Sequence, residues 1–101
     1  MAQEQTGIRE RQRVDLKEPA RYKVIMYNDD FTTMDFVVMV LRTILSKSDA
    51  DAETIMLAIH KQGQAVVGVY TLDVAKSKVL KATKLARDNN FPLKLSYSPE
   101  N

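Results

Sequence analysis

Residues 22–35, YKVIMYNDDFTTMD, decide how the fold begins. The first six are apolar, aromatic or β-branched enough to form a strand, and the Asn-Asp-Asp sequence at 28–30 then favours a turn. We expect a helix to begin directly after this turn, with Thr32 and Asp35 spaced as a weak capping box. The join therefore gathers two carboxylates and an amide beside the positive end of a helix.

Further along the chain, apolar residues recur at helical spacing in three segments. They predict helices over about 34–46, from Ser48 to Gly63 and from Thr71 to about Asp88. Gly63 is expected to end the second helix as a left-handed C-cap, because glycine adopts that conformation without steric cost.

Two later segments have strand patterns. Residues 64–70, QAVVGVY, are apolar and β-branched enough for a central strand. Residues 93–98 alternate apolar and polar side chains, which is typical of a half-buried final strand. The element order β-α-α-β-α-β predicts an α+β fold, in which a three-stranded antiparallel sheet packs against three helices. The strand order within the sheet stays open.

The beginning of the chain differs from the rest. Its sizeable apolar residues are Ile8, Val14 and Leu16, amid Gln, Glu and Arg. Such a stretch cannot bury enough surface to offset its ordering entropy. We therefore predict a disordered tail over residues 1–18 and one core domain over 19–101.

Composition excludes several classes of protein. The chain of 101 residues has no cysteine, which rules out disulfides and thiolate metal sites. No apolar run approaches the roughly 20 residues needed to span a bilayer, and the N-terminus lacks an apolar signal core. A net charge of +2 is too small to imply nucleic acid. We expect a cytoplasmic protein with no membrane partner.

The residues that can carry chemistry are few. Asn28, Asp29 and Asp30 in the turn, with the single histidine His60 on the second helix, can hold a small cation such as an amine. The same residues are also compatible with an ordinary turn and a surface histidine. An enzyme using His60 is disfavoured, because neither a second base nor an oxyanion donor set is visible. No metal site or cofactor is predicted.

The third helix has a basic face opposite its apolar stripe. This face is formed by Lys76, Lys78, Lys81, Lys84 and Arg87. It is either a solvated helix surface or an electropositive patch that docks an acidic protein or RNA. RNA is the weaker choice, since no aromatic residues interleave with the lysines to stack bases.

Four segments resemble the ClpS adaptor proteins of the bacterial N-end rule pathway. They are YKVIMYNDDFTTMDFVVMVL at 22–41, IMLAIHKQGQAVVGVYT at 55–71, LDVAKSKV at 72–79 and FPLKL at 91–95. The resemblance runs in unbroken order from Arg21 to about Tyr97. It implies an adaptor that binds proteins beginning with Leu, Phe, Tyr or Trp and delivers them to a Clp AAA+ unfoldase, ClpA or ClpC. It also implies a location in the cytoplasm or, alternatively, the plastid stroma.

The resemblance assigns roles to individual residues. It implies that Asn28, Asp30 and His60 hold the α-amino group of the substrate, with Asp29 contributing through water. It further implies an apolar pocket for the first side chain, formed by Thr32, Met34, Val37, Met56, Ile59 and Leu93. Met56 and His60 are four residues apart on a helix, so one face can present both a pocket wall and an amine ligand.

The resemblance also concerns contacts with the unfoldase. Docking is implied for Lys78 and, less directly, for Asp73, while the ClpS tail engages the unfoldase pore. Eighteen extended residues reach roughly 60 Å, so even a short tail can enter a channel. One departure is Thr33, which stands where the family usually has proline and should loosen the entry to the first helix slightly.

Overall fold

The computed structural model describes residues 20–101, so the predicted tail lies outside the described residues. The elements are β1 (Arg21–Tyr27), α1 (Met34–Thr43), α2 (Asp49–Gln62), β2 (Gln64–Thr71), α3 (Leu72–Asp88) and β3 (Lys94–Pro99). This order confirms the predicted β-α-α-β-α-β arrangement. None of the helices in this part of the chain combines the length and apolarity needed to cross a membrane.

The three strands form one antiparallel sheet in the order β2-β1-β3. The predicted antiparallel sheet is therefore confirmed, but the prediction that residues 64–70 form a central strand is wrong. β1 is central, and β2 lies at an edge, where Val66 is half exposed. The apolar, β-branched composition of β2 indicates a strand but does not determine how many neighbours it pairs with.

The helices cover one face of the sheet and enclose the core with it. Val24 and Met26 of the central strand are fully buried, as are Val40 and Leu41 of α1. α3 contributes small side chains, Ala75, Ala82 and Ala86, which let the helix approach the sheet closely. Tyr70 of β2 lies over Gly68, where any Cβ would overlap its ring.

The start of α1 differs from the predicted capping box. Thr33, not Thr32, is the N-cap, and its hydroxyl accepts a hydrogen bond from the Phe36 amide at 3.1 Å. The Thr32 hydroxyl is turned towards the preceding turn instead, where it donates to Asp29 at 2.7 Å. Either of the two adjacent threonines could cap the helix by the sequence rule. The hydrogen bonds between Asp29 and Thr32 hold Thr32 in the turn, so Thr33 becomes the cap.

The other helix ends follow common capping rules. Ser48 caps α2 and accepts from the Asp51 amide at 3.1 Å. Gly63 ends α2 with a φ of 89°, which confirms the predicted left-handed C-cap. α1 stops at Thr43, earlier than predicted, and Ser46 takes a left-handed conformation in the connection to α2.

Candidate functional site

The turn after β1 is organised around the carboxylate of Asp29. One oxygen accepts hydrogen bonds from the backbone amides of Phe31 and Thr32, at 2.8 and 2.7 Å. The other oxygen accepts the hydroxyl proton of Thr32 at 2.7 Å. Asp29 is thus occupied within the turn, whereas the side chains of Asn28 and Asp30 are exposed.

The environment of Asp29 keeps it ionised. Partial burial by itself raises the pKa of Asp29, but the hydrogen bonds from Thr32 and Phe31 and the positive charge of Arg87 outweigh it. The pKa of Asp29 therefore lies below its ordinary value of 3.8. The turn carries a fixed negative charge at neutral pH, and this charge also orders the backbone on either side of Asp30.

A backbone hydrogen bond joins this turn to the end of α2. The amide of Asn28 donates to the carbonyl oxygen of Gly63 at 2.9 Å. The next residues, Tyr27 and Gln64, form the last antiparallel pair between β1 and β2, so the hydrogen bond continues the pairing of these strands. His60 lies three residues before Gly63 and is exposed, so the structure brings the turn and the helix end that carries His60 together.

The residues predicted to form an apolar pocket lie on α1 and α2, in the turn before α1 and in the segment after α3. Val37, Met56, Ile59 and Leu93 are each at most 8% exposed, while Thr32 is half-buried. Met34, the first residue of α1, is 44% exposed. These four buried residues belong to the hydrophobic core of the domain, whereas Met34 lies at its surface.

Arg87 contributes to this region, in addition to its place on the basic face of α3. Its guanidinium donates to the carbonyls of Phe91 and Leu93, at 2.9 and 2.8 Å. Phe91 also packs on Phe36 with ring centroids 4.7 Å apart. Arg87 therefore fixes the segment that delivers Leu93 to the core. A cation in the last turn of a helix is the sequence signal for such carbonyl contacts.

The predicted docking residues lie elsewhere, on α3. Asp73 is exposed in the first turn of the helix. Lys78 is only half-buried, and its amine donates to the Ile44 carbonyl at 2.8 Å while lying 5.3 Å from the Tyr70 ring centroid. Lys78 therefore also stabilises the C-terminal end of α1, besides lying on the basic face of α3.

A surface cavity of about 440 Å³ lies beside Lys78, between the end of α1 and α3. Its walls include Thr43, Val74 and Lys81. The cavity is separate from the turn at 28–30. Within residues 20–101, no three His, Cys, Asp or Glu side chains come together as metal ligands would.

Comparison with known proteins identifies the fold and the class. Residues 17–96 match the family model described as "ATP-dependent Clp protease adaptor protein ClpS". The ClpS adapter of Acetivibrio thermocellus is 50% identical over 97 residues, covering 96% of this chain and 98% of that protein. The one from Treponema denticola is 54% identical over 76 residues, covering 75% of each chain.

A solved structure is similar over the same region. Agrobacterium tumefaciens ClpS2 bound to L-phenylalaninamide superposes with a TM-score of 0.79 and is 37% identical, covering 82% of this chain and 100% of that one. The chain belongs to the ClpS family of ATP-dependent Clp protease adaptor proteins. It is an adaptor and not an enzyme.

Proposed function

We propose that this adaptor binds proteins with an N-terminal Leu, Phe, Tyr or Trp and delivers them to a Clp AAA+ unfoldase, ClpA or ClpC, for degradation. The observation that carries the proposal is the hydrogen bond between Asn28 and Gly63, which holds the acidic turn against the end of α2 that bears His60. L-Phenylalaninamide, bound by the Agrobacterium relative, presents a free α-amino group and an aromatic side chain. That ligand supports recognition of the same two features here.

The amine site would work through three acceptors. An α-ammonium group has three N–H donors, which the Asn28 side-chain oxygen, the Asp30 carboxylate and the neutral imidazole of His60 can accept. Asp29 is committed to the turn, so we assign it a positioning role and a long-range attraction for the cation. This division of roles favours Asp30 over Asp29 as the direct ligand.

The side-chain pocket would supply the second half of the affinity. Burying a Leu or Phe side chain contributes about 1.5–3 kcal/mol. Each hydrogen bond to the charged amine contributes about 1.5–3 kcal/mol. Micromolar binding needs about 8 kcal/mol after the cost of association. The side chain alone falls well short of this value, and the three amine hydrogen bonds reach it only at the top of their range, so internal leucines and blocked N-termini should escape.

The basic face of α3 offers little support for RNA binding. Lys78 and Arg87 donate to carbonyl groups of the protein, and Lys84 pairs with Asp88 at 3.2 Å. We assign contact with the unfoldase to Asp73 and Lys78 of α3, as the family resemblance implies, with no nucleic acid partner. We place the adaptor where its protease acts, in the cytoplasm or the plastid stroma.

The test compares a Leu-initiated peptide with its N-acetylated twin by fluorescence anisotropy. The free peptide should bind and the acetylated one should not. Asn28→Ala and His60→Ala should each weaken binding by about tenfold, the loss of one charged hydrogen bond, with unchanged melting temperature. Lys61→Ala, an exposed neighbour of His60, serves as the matched control. Equal binding of the free and acetylated peptides would contradict the proposal.

A further inference from the structure

Phe31 is 77% exposed, which makes it the most exposed large apolar side chain of residues 20–101. The other aromatic rings in that range pack on a ring or a cation. The pairs are Tyr22 with Tyr97, Phe36 with Phe91, Tyr27 with Lys94 and Tyr70 with Lys78. Phe31 alone among these aromatic residues has neither kind of partner.

The exposure of Phe31 is built into an ordered turn. The Phe31 amide and the next amide, that of Thr32, both donate to one oxygen of Asp29. The Thr32 hydroxyl holds the other oxygen. These bonds fix the backbone on both sides of Phe31, so the turn, and not packing on the core, sets the direction in which its side chain leaves the backbone.

Phe31 is also placed next to the proposed substrate site. In the chain it stands between Asp30, the proposed amine ligand, and Thr32, a proposed pocket residue. Met34, three residues further on, is partly exposed as well. Consecutive Cα atoms lie 3.8 Å apart in the protein and in a bound peptide alike. A peptide whose first residue occupies the site carries its second residue one such spacing further on, so a peptide that leaves the site past Asp30 brings its second side chain to the Phe31 ring.

We propose that Phe31 is a specificity-determining residue whose ring contacts the side chain of the second residue of the substrate. The proposal rests on the proposed function and extends it from one substrate position to two. Covering an exposed aromatic ring with an apolar side chain removes apolar surface of both partners from water. Substrates with Leu or Phe in second place therefore bind more tightly than substrates with Ser there.

The experiment measures affinity for peptides that begin Leu-Phe, Leu-Leu or Leu-Ser and share the rest of their sequence. Wild-type protein should favour the first two over Leu-Ser by about fivefold, the size expected for covering part of a ring. Phe31→Ala should reduce this preference to less than about twofold and leave Leu-Ser binding nearly unchanged. Phe31→Leu should keep part of it. Leu80→Ala, which removes an exposed apolar side chain from α3, is the matched control and should leave every affinity unchanged.

Three results would overturn the inference. One is a wild-type protein indifferent to the second residue. Another is an equal loss of all three peptides in Phe31→Ala, which would mean that Phe31 shapes the turn. The third is unaltered peptide binding with slower degradation, which would assign Phe31 to the protease. Acetylated versions of the same peptides test recognition of the free N-terminal amine separately from the role of Phe31. Loss of binding on acetylation would support the proposed function, whatever the effect of the Phe31 variants.

Discussion

At the scale of single residues, the two neighbouring aspartates of the turn have different roles. Asp29 accepts three hydrogen bonds, and Asp30 is exposed with its carboxylate available to a ligand. The sequence shows two adjacent carboxylates and cannot rank them. The difference arises because the carboxylate at position 29 can reach the amides two and three residues ahead, as in an Asx turn.

The lowered pKa of Asp29 predicts how this turn contributes to stability across pH. A group whose pKa falls on folding stabilises the native state in full above its unfolded pKa, here about 3.8, and loses that contribution as the pH drops through the lower folded pKa. Asp29→Asn should therefore be less stable than wild type at pH 6, and the gap should narrow below pH 3.8. Urea unfolding at pH 6 and below pH 3.8 measures this difference in the free energy of unfolding between the two proteins.

Asp30→Asn provides the control for that series. Its carboxylate makes none of the turn hydrogen bonds, so its unfolding midpoint should follow that of the wild type at every pH. A stability gap for Asp29→Asn that stays constant down to pH 2 would contradict the assigned role of the charge.

Met34 is the residue we expect to select among first side chains. It is 44% exposed at the start of α1, so it can cover an occupied pocket without supporting the core. We predict that wild-type protein rejects Val- and Ile-initiated peptides, which carry bulk at Cβ. Met34→Ala should admit them with little loss for Leu or Phe. If wild-type protein binds Ile- and Leu-initiated peptides equally well, Met34 is not selective.

At the scale of elements, the positions of the helices and strands were predictable from the sequence, but the strand order and the N-cap of α1 were not. Periodicity located all three helices and strands, and Gly63 marked the end of α2. The edge position of β2 was missed because strand composition reports burial and not neighbours. The N-cap of α1 was missed because two threonines satisfy the same rule, and only the geometry of Asp29 separates them.

The candidate site divides in the same way. The residues of the turn and His60 were candidates from their chemistry alone, with an ordinary turn as the alternative, whereas the pocket residues came from the family resemblance. Arg87 was assigned to the basic face of α3 because its helical position lies opposite the apolar stripe. Its guanidinium instead contacts the carbonyls of Phe91 and Leu93, a contact that depends on how the chain turns after α3.

The prediction for α3 and the segment after it therefore concerns the replacement of Arg87. Arg87→Met keeps the aliphatic stem and removes the donors, which should lower the free energy of unfolding by about 1–2 kcal/mol. Peptide binding should weaken as well, because Leu93 loses its fixed position. Lys84→Met is the matched control on the same helix. Its exposed pair with Asp88 is worth about 0–1 kcal/mol. Equal effects of the two variants would contradict the special role of Arg87.

At the scale of the whole molecule, binding and delivery should separate. The core from Ala20 onward contains the turn, the end of α2 and the predicted pocket. We predict that removing residues 1–17 leaves peptide affinity and melting temperature nearly unchanged but stops degradation of a Leu-initiated substrate by the unfoldase and its peptidase. Undiminished degradation would place the handover in the folded domain.

Docking variants complete that comparison. Asp73→Asn changes an exposed residue at the start of α3, so weaker binding to the unfoldase would report docking alone. Lys78→Ala also removes the donor to Ile44 and should lower the melting temperature as well. Its effect on degradation is interpretable only beside its stability.

The conformation of Gly63 limits which residues this position can hold. A Cβ at this position would meet nothing within 4 Å, so a larger residue is penalised by conformation and not by crowding. The carbonyl of this same residue receives the Asn28 amide. Replacing Gly63 with alanine would therefore create no clash, yet it would strain the backbone whose carbonyl holds the turn in place.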